Sequence, residues 1–172
     1  IMENEVKSID KVLNEAGRPF TAILGGAKVS GKIEIINNLL SKVDRLVIGG
    51  GMCFTLLRAQ GHDVGNSLVE ESMVEVVGSL LAGVYGDKIL LPTDIVVATA
   101  FAEDADNEVV AANAIPSEMM GLDIGPNSIS TFAAVVDDAA SVFWNGPMGV
   151  FEWEAFRAGT AGVAAALADT DG

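Results

Sequence analysis

Short apolar runs, each closed by a glycine- or proline-bearing turn and followed by a stretch of helical periodicity, recur along this 172-residue chain. This alternation constrains the fold more than any other feature. Residues 20–24 (FTAIL) lie between Pro19 and Gly25-Gly26 and read as a buried strand. Val29, Ile33, Ile36, Leu40 and Val43 then repeat at three and four and predict a helix. Residues 46–48 form the next buried strand, closed by Gly49, Gly50 and Gly51, with a helix over 52–60. A longer amphipathic helix is predicted over 69–84, and strands over 88–91 and 95–98 are divided by Pro92. The polar, acidic section 103–107 suits an edge hairpin. Asp123-Ile124-Gly125-Pro126 leads into a helix through Val136, residues 141–144 make a last strand, and the alanine-rich 155–168 a last helix. Ahead of them all, Met2, Val6, Ile9, Val12 and Leu13 carry a helical period, with Glu3 and Glu5 where the helix dipole favours acids.

Strands alternating with helices through short turns indicate an α/β domain with a mainly parallel sheet. The length supports one hydrophobic core and not two, so residues 1–172 are read as a single domain. No apolar run approaches the roughly twenty residues that span a bilayer; residues 46–57 come nearest and are broken by three glycines, so no membrane partner is expected. The net charge of −14, with no basic cluster, disfavours nucleic acid. Cys53 is the only cysteine, which excludes an internal disulfide, and a reducing, cytoplasmic location is expected. Cys53 reads as packing, His62 as a surface residue, and Trp144 and Trp153 as core or domain-contact residues. No His, Cys or carboxylate cluster has metal-site spacing. The chain opens on Ile1 in what reads as mid-protein helix, and is expected to be a fragment.

In such sheets ligands sit beyond the carboxyl ends of the strands, so the turns leaving those ends are where function is sought. The turn Gly25-Gly26-Ala27-Lys28-Val29-Ser30-Gly31-Lys32 puts two lysines at a helix start. Backbone N–H groups and the dipole already make that end positive, so the lysines are misplaced unless an anion such as a phosphate chain sits there; otherwise both point to solvent. Residues 26–32 also match Gly-x-x-x-x-Gly-Lys, but Ile33 stands where a phosphate loop needs Ser or Thr for magnesium. A dinucleotide fingerprint fails too, because Phe54 occupies its third glycine place. Gly49, Gly50 and Gly51 leave a strand end without side chains, either for a flat ring or for tight packing. Asp123 either has a role in its turn or simply bonds it. Trp144-Asn145-Gly146-Pro147-Met148-Gly149-Val150-Phe151-Glu152 is the most distinctive run: Asn-Gly-Pro forces irregular backbone after a buried strand, and Glu152 is placed either to cap a helix or to meet a ribose.

Taken in order, residues 25–30 with Lys32, then 49–52, Gly65-Asn66-Ser67-Leu68, Leu91-Pro92-Thr93-Asp94, 121–126 and 144–152 resemble phosphoglycerate kinase. Each block is weak alone, and the likeness covers essentially the whole chain. The resemblance implies a Rossmann-like three-layer α/β/α fold, here an incomplete nucleotide-binding domain of a two-domain monomeric kinase. It implies phosphoryl transfer between 1,3-bisphosphoglycerate and ADP, or 3-phosphoglycerate and ATP in reverse; the alternative is a non-catalytic nucleotide-binding module of the same fold. By the same resemblance, Lys28 and Lys32 form the catalytic, phosphate-contacting pair, with Lys32 following the transferred group. Gly50, Gly121, Leu68 and Met120 border the adenine; Asn145, Gly146, Pro147 and Met148 run beside the nucleotide; Glu152 bonds the ribose. Mg2+ would accompany ATP or ADP, its aspartate expected downstream, and 3-phosphoglycerate would bind a basic N-terminal domain. Neither region is in this sequence, so the chain alone is expected to bind nucleotide without turnover. Gly31 stands where many members carry aspartate, which loosens the first helical turn.

Overall fold

The structure, a computed structural model, describes residues 15–169. The helix expected over residues 2–13 lies outside them. Among the described residues seven strands are formed: β1 (Phe20–Leu24), β2 (Arg45–Ile48), β3 (Ile89–Leu90), β4 (Asp94–Ala98), β5 (Asn107–Ala111), β6 (Met120–Ile124) and β7 (Ser141–Asn145). They are joined by α1 (Ile33–Leu40), α2 (Cys53–Ala59), α3 (Glu71–Ala82), α4 (Pro126–Asp138) and α5 (Ala158–Asp169). None of these helices is long and apolar enough to cross a membrane.

The main sheet is parallel throughout, in the order β3-β2-β1-β7. Its side chains alternate between faces, as the two-residue period of a strand demands. Ala22, Leu24, Leu46 and Ile48 face α1, α2 and α3 through Ile36, Leu39, Leu56 and Val77. Ile23, Val47, Leu90, Val142 and Trp144 face the other way, onto Phe132 and Val136 of α4 and Val163 of α5. The result is helix, sheet, helix: the three layers that the apolar runs require, since a strand hydrophobic on both faces must be covered on both. Each fully buried Ile, Leu or Phe in these layers contributes roughly 1.5–3 kcal/mol of transfer free energy.

Three details depart from the sequence reading. The helix expected to run from Val29 is instead a 3-10 turn, Val29–Gly31, followed by α1; Lys32, at φ −126° and ψ 3°, breaks the two apart. Glycine at position 31 gives that first turn no side chain to favour helix. The second difference is a separate antiparallel sheet, β5-β4-β6, which takes β4 out of the parallel array. Only Leu91-Pro92-Thr93 separates β3 from β4, far short of the dozen or so residues a parallel crossover needs, so β4 cannot continue the main sheet in parallel. The acidic section 103–107 lies mostly in the loop of the β4–β5 hairpin. Third, β6 was not anticipated, because Gly121 and Asp123 are poor strand formers and only pairing with β4 makes the segment a strand.

Candidate functional site

In the main sheet the chain steps from β1 to β2 to β3 on one side and places β7 on the other, so the strand order switches between β1 and β7, the point beyond whose carboxyl ends sheets of this kind bind ligands. Three glycine turns leave the ends of β1, β2 and β7 and interlock there. Gly25 N–H donates to Asn145 O at 2.9 Å and Gly26 N–H to Pro147 O at 3.1 Å. Gly50 N–H donates to Met148 O at 3.1 Å, and Met52 N–H to Gly26 O at 2.9 Å. Gly50 sits at φ +70°, and a Cβ there would stand 2.5 Å from Gly26 N, so only glycine closes this knot.

Beside the knot lies a cleft of about 470 Å³ between the two sheets. Of the residues assigned from the resemblance, Gly50, Leu68, Met120, Gly121, Pro147 and Met148 line it. Its inner wall is made by Phe54 against Gly121, where a Cβ would stand 2.1 Å from the ring. Leu68 is 48% exposed and Phe101 63% exposed at the rim, an unusual state for large apolar side chains and one expected of a binding edge. Phe101 packs against Trp153 in a tilted pair, with ring centroids 4.7 Å apart, and Trp153 in turn contacts Phe156 at 6.2 Å. This is a flat, apolar slot with backbone N–H and C=O groups at one end.

Lys32 lies on the turn that leaves β1, outside the slot. Its Nζ donates to Asn145 Oδ1, joining the β1 turn to the β7 turn, and partial burial pushes its pKa below the usual lysine value. Lys28 is exposed and precedes the 3-10 turn. Lys32 thus has a hydrogen-bond partner across the turns, whereas Lys28 faces solvent. Gly146 and Pro147 border a shallower hollow with Trp144, Phe151 and Thr160, and Trp144 Nε1 donates to Gly146 O at 2.7 Å. Glu152 is exposed and lines neither space. Of its two readings, capping finds no support: the 3-10 turn Glu154–Phe156 starts from Trp153 without a side-chain cap.

Two buried aspartates complete the frame. Asp94 caps α4, its carboxylate accepting Asn127 N–H at 2.9 Å and Ser128 N–H at 2.8 Å. Asp123 accepts Ile124 N–H and Gly159 N–H, both at 2.9 Å, and ties β6 to the start of α5 while lining the slot. Burial pushes its pKa up to about 6, against those two hydrogen bonds. Sequence reasoning weighed Asp123 but missed Phe54, Phe101, Asn66 and Ile95 as walls of the slot. Phe54 had entered only as the residue that spoils a dinucleotide fingerprint; an aromatic in an acidic loop was the one available sign for Phe101. Cys53, buried in α2, has its thiol pKa raised by desolvation, consistent with packing. Among the described residues, no group of three or more His, Cys, Asp or Glu side chains converges as metal ligands would.

Comparison with known proteins bears on this frame. A family model described as phosphoglycerate kinase matches residues 1–172. The phosphoglycerate kinase of Salinispora arenicola is 55% identical over 167 residues, which are 97% of this chain and 42% of that protein. That of Mycolicibacterium gilvum is 51% identical over 172 residues, all of this chain and 42% of that protein. The solved structure of phosphoglycerate kinase from Coxiella burnetii superposes with a TM-score of 0.91 at 38% identity, over 99% of this chain and 44% of that one. The Pyrococcus horikoshii enzyme, at 24% identity and a TM-score of 0.82, shares the fold. The chain thus spans about two-fifths of the length of the relatives it matches.

Proposed function

The chain belongs to the phosphoglycerate kinase family, and from that premise we propose that it supplies the ATP/ADP site of an enzyme moving a phosphoryl group between 1,3-bisphosphoglycerate and ADP. One observation carries the reading: an apolar slot and a desolvated lysine flank the same knot of glycine turns at the sheet's switch point. A purine fits a slot walled by Phe54, Gly50, Gly121, Leu68 and Met120, because stacking and apolar contact need no charge. From there the phosphates extend past the knot toward Lys32, Asn145 and Gly146.

Phosphoryl transfer asks little covalent chemistry of a protein; it asks for positive charge held where charge develops, and for water kept out. Lys32 suits that task. Partial burial weakens its hydration, and a neutral amide at Asn145 holds its Nζ without neutralising it. When phosphate oxygens replace the Asn145 carbonyl as acceptor, the ammonium follows the transferred group. Mg2+ would arrive with the nucleotide as part of the substrate. The 3-phosphoglycerate site belongs to the proposed N-terminal domain, and the whole enzyme is proposed as a cytoplasmic monomer. Glu152 is assigned to the ribose on family resemblance alone.

Titration of the chain with ADP and with NAD, followed through Trp144 and Trp153 fluorescence, tests the reading. ADP should bind the more tightly; preference for NAD would overturn it. The isolated chain should not turn over 3-phosphoglycerate with ATP, and activity above a Lys32→Ala control would refute that part.

A further inference from the structure

Two lysines at the start of a helical segment are an electrostatic misfit unless an anion faces them, and part of that anion comes from the chain itself. Glu70 reaches the 3-10 turn Val29–Gly31, its Oε1 accepting Ser30 N–H at 3.0 Å. The Ser30 hydroxyl, the Ser30 and Val29 N–H groups and the charge of Lys28 together hold the Glu70 carboxyl below its usual range, so it stands ionised against the turn. At its other end Glu70 is fixed to the core: its N–H donates to Oγ1 of Thr55 at 3.1 Å, and Thr55 is buried in α2. Just before it, Leu68 lines the slot, Ser67 Oγ accepts Gly121 N–H at 2.8 Å, and Asn66 N–H donates to Met119 O at 2.8 Å. Residues 66–70 are therefore fastened at once to β6, to α2 and to the turn that carries Lys28.

Resting on the reading of the slot as the base site and the turn as the phosphate side, we infer that Glu70 is a positioning residue, its carboxylate seating Lys28 and the 29–31 turn at a fixed distance from the slot. With the Ser30 N–H already occupied by the Glu70 carboxylate, incoming phosphates meet the lysine side chains and the Asn145-Gly146 backbone. They do not lie in an N–H cradle as in a Gly-x-x-x-x-Gly-Lys loop. Without the carboxylate, the turn loses its tether and Lys28 its counter-charge.

Calorimetric titration of the wild type, Glu70→Ala and Glu70→Gln with ADP and with adenosine separates this role from a merely structural one. Glu70→Ala should weaken ADP about five-fold or more while leaving adenosine within about two-fold, since only the diphosphate reads the turn. Glu70→Gln keeps a carbonyl acceptor for Ser30 and should recover most of the loss. Equal loss for both ligands overturns the inference; so does tighter ADP binding by Glu70→Ala, which would make Glu70 a competitor of the phosphates. Hydrogen exchange at the Ser30 amide of the ligand-free chain should accelerate in Glu70→Ala, and unchanged exchange removes the tether. A wild type that binds neither ligand overturns the nucleotide reading and with it the role toward phosphate, whereas the Ser30 exchange reports the tether regardless.

Discussion

At Lys32 the physical chemistry of one side chain links folding to function. Burial lowers its pKa, so folding disfavours the charged form. That cost is present at neutral pH and vanishes as pH rises through the folded value toward 10.5. Replacing Lys32 by Met should leave stability at pH 7 equal or slightly higher while weakening ADP binding by about ten-fold or more, as loss of a charge-assisted phosphate contact implies; titration and denaturant unfolding measure the two sides. Asp123 has the same sign of strain for the opposite charge. Its pKa rises from 3.8 to about 6, so the unfolded chain ionises first and stability falls as pH climbs through that interval, then levels. Measured against Asp123→Asn, the wild type should lose on the order of 2–3 kcal/mol of relative stability between pH 4 and pH 7. An unchanged difference would mean that the two N–H bonds offset burial. Neither shift is visible in sequence, where a lysine near glycines and an aspartate in a turn look solvated.

The elements are held by a few polar joints as much as by the apolar layers. Ser128 Oγ accepts Thr93 N–H at 3.0 Å and Asp94 N–H at 3.1 Å and lies 2.6 Å from Asp94 Oδ1, so β4 and the start of α4 share one closed network. Ser128→Ala leaves those N–H groups without their acceptor and should cost about 2–3 kcal/mol in denaturant unfolding, more than a surface serine; a cost under about 0.5 kcal/mol would show that water replaces the hydroxyl. At this scale the sequence was readable for β1, β2 and most helices, whose apolar periods persist whatever surrounds them. It was unreadable for β6, a strand that exists because β4 offers its edge, and for the start of α1, where Gly31 and the pull of Glu70 favour a 3-10 turn.

Across the whole molecule the slot lies between a parallel and an antiparallel sheet, so a bound nucleotide would touch turns from β1, β2 and β7 together with β6 and the 66–70 segment. ADP at about a hundred times its dissociation constant should stabilise the chain by roughly 2.7 kcal/mol. Slowed hydrogen exchange should concentrate in residues 25–32, 49–52, 66–70 and 145–150; protection confined to one turn would place the ligand elsewhere. By itself the sequence determined the α/β class, the mainly parallel sheet and the glycine turns worth suspecting, because strand and helix periods and turn chemistry are local properties. The resemblance of those turns in order also pointed to the family. Only the tertiary structure decided that the turns interlock, that Phe54 and Phe101 wall the slot, that Lys32 reaches Asn145 and that Glu70 reaches the turn beside Lys28. Those facts depend on which distant segments meet, Lys32 and Asn145 being 113 positions apart, and no local period encodes such a meeting.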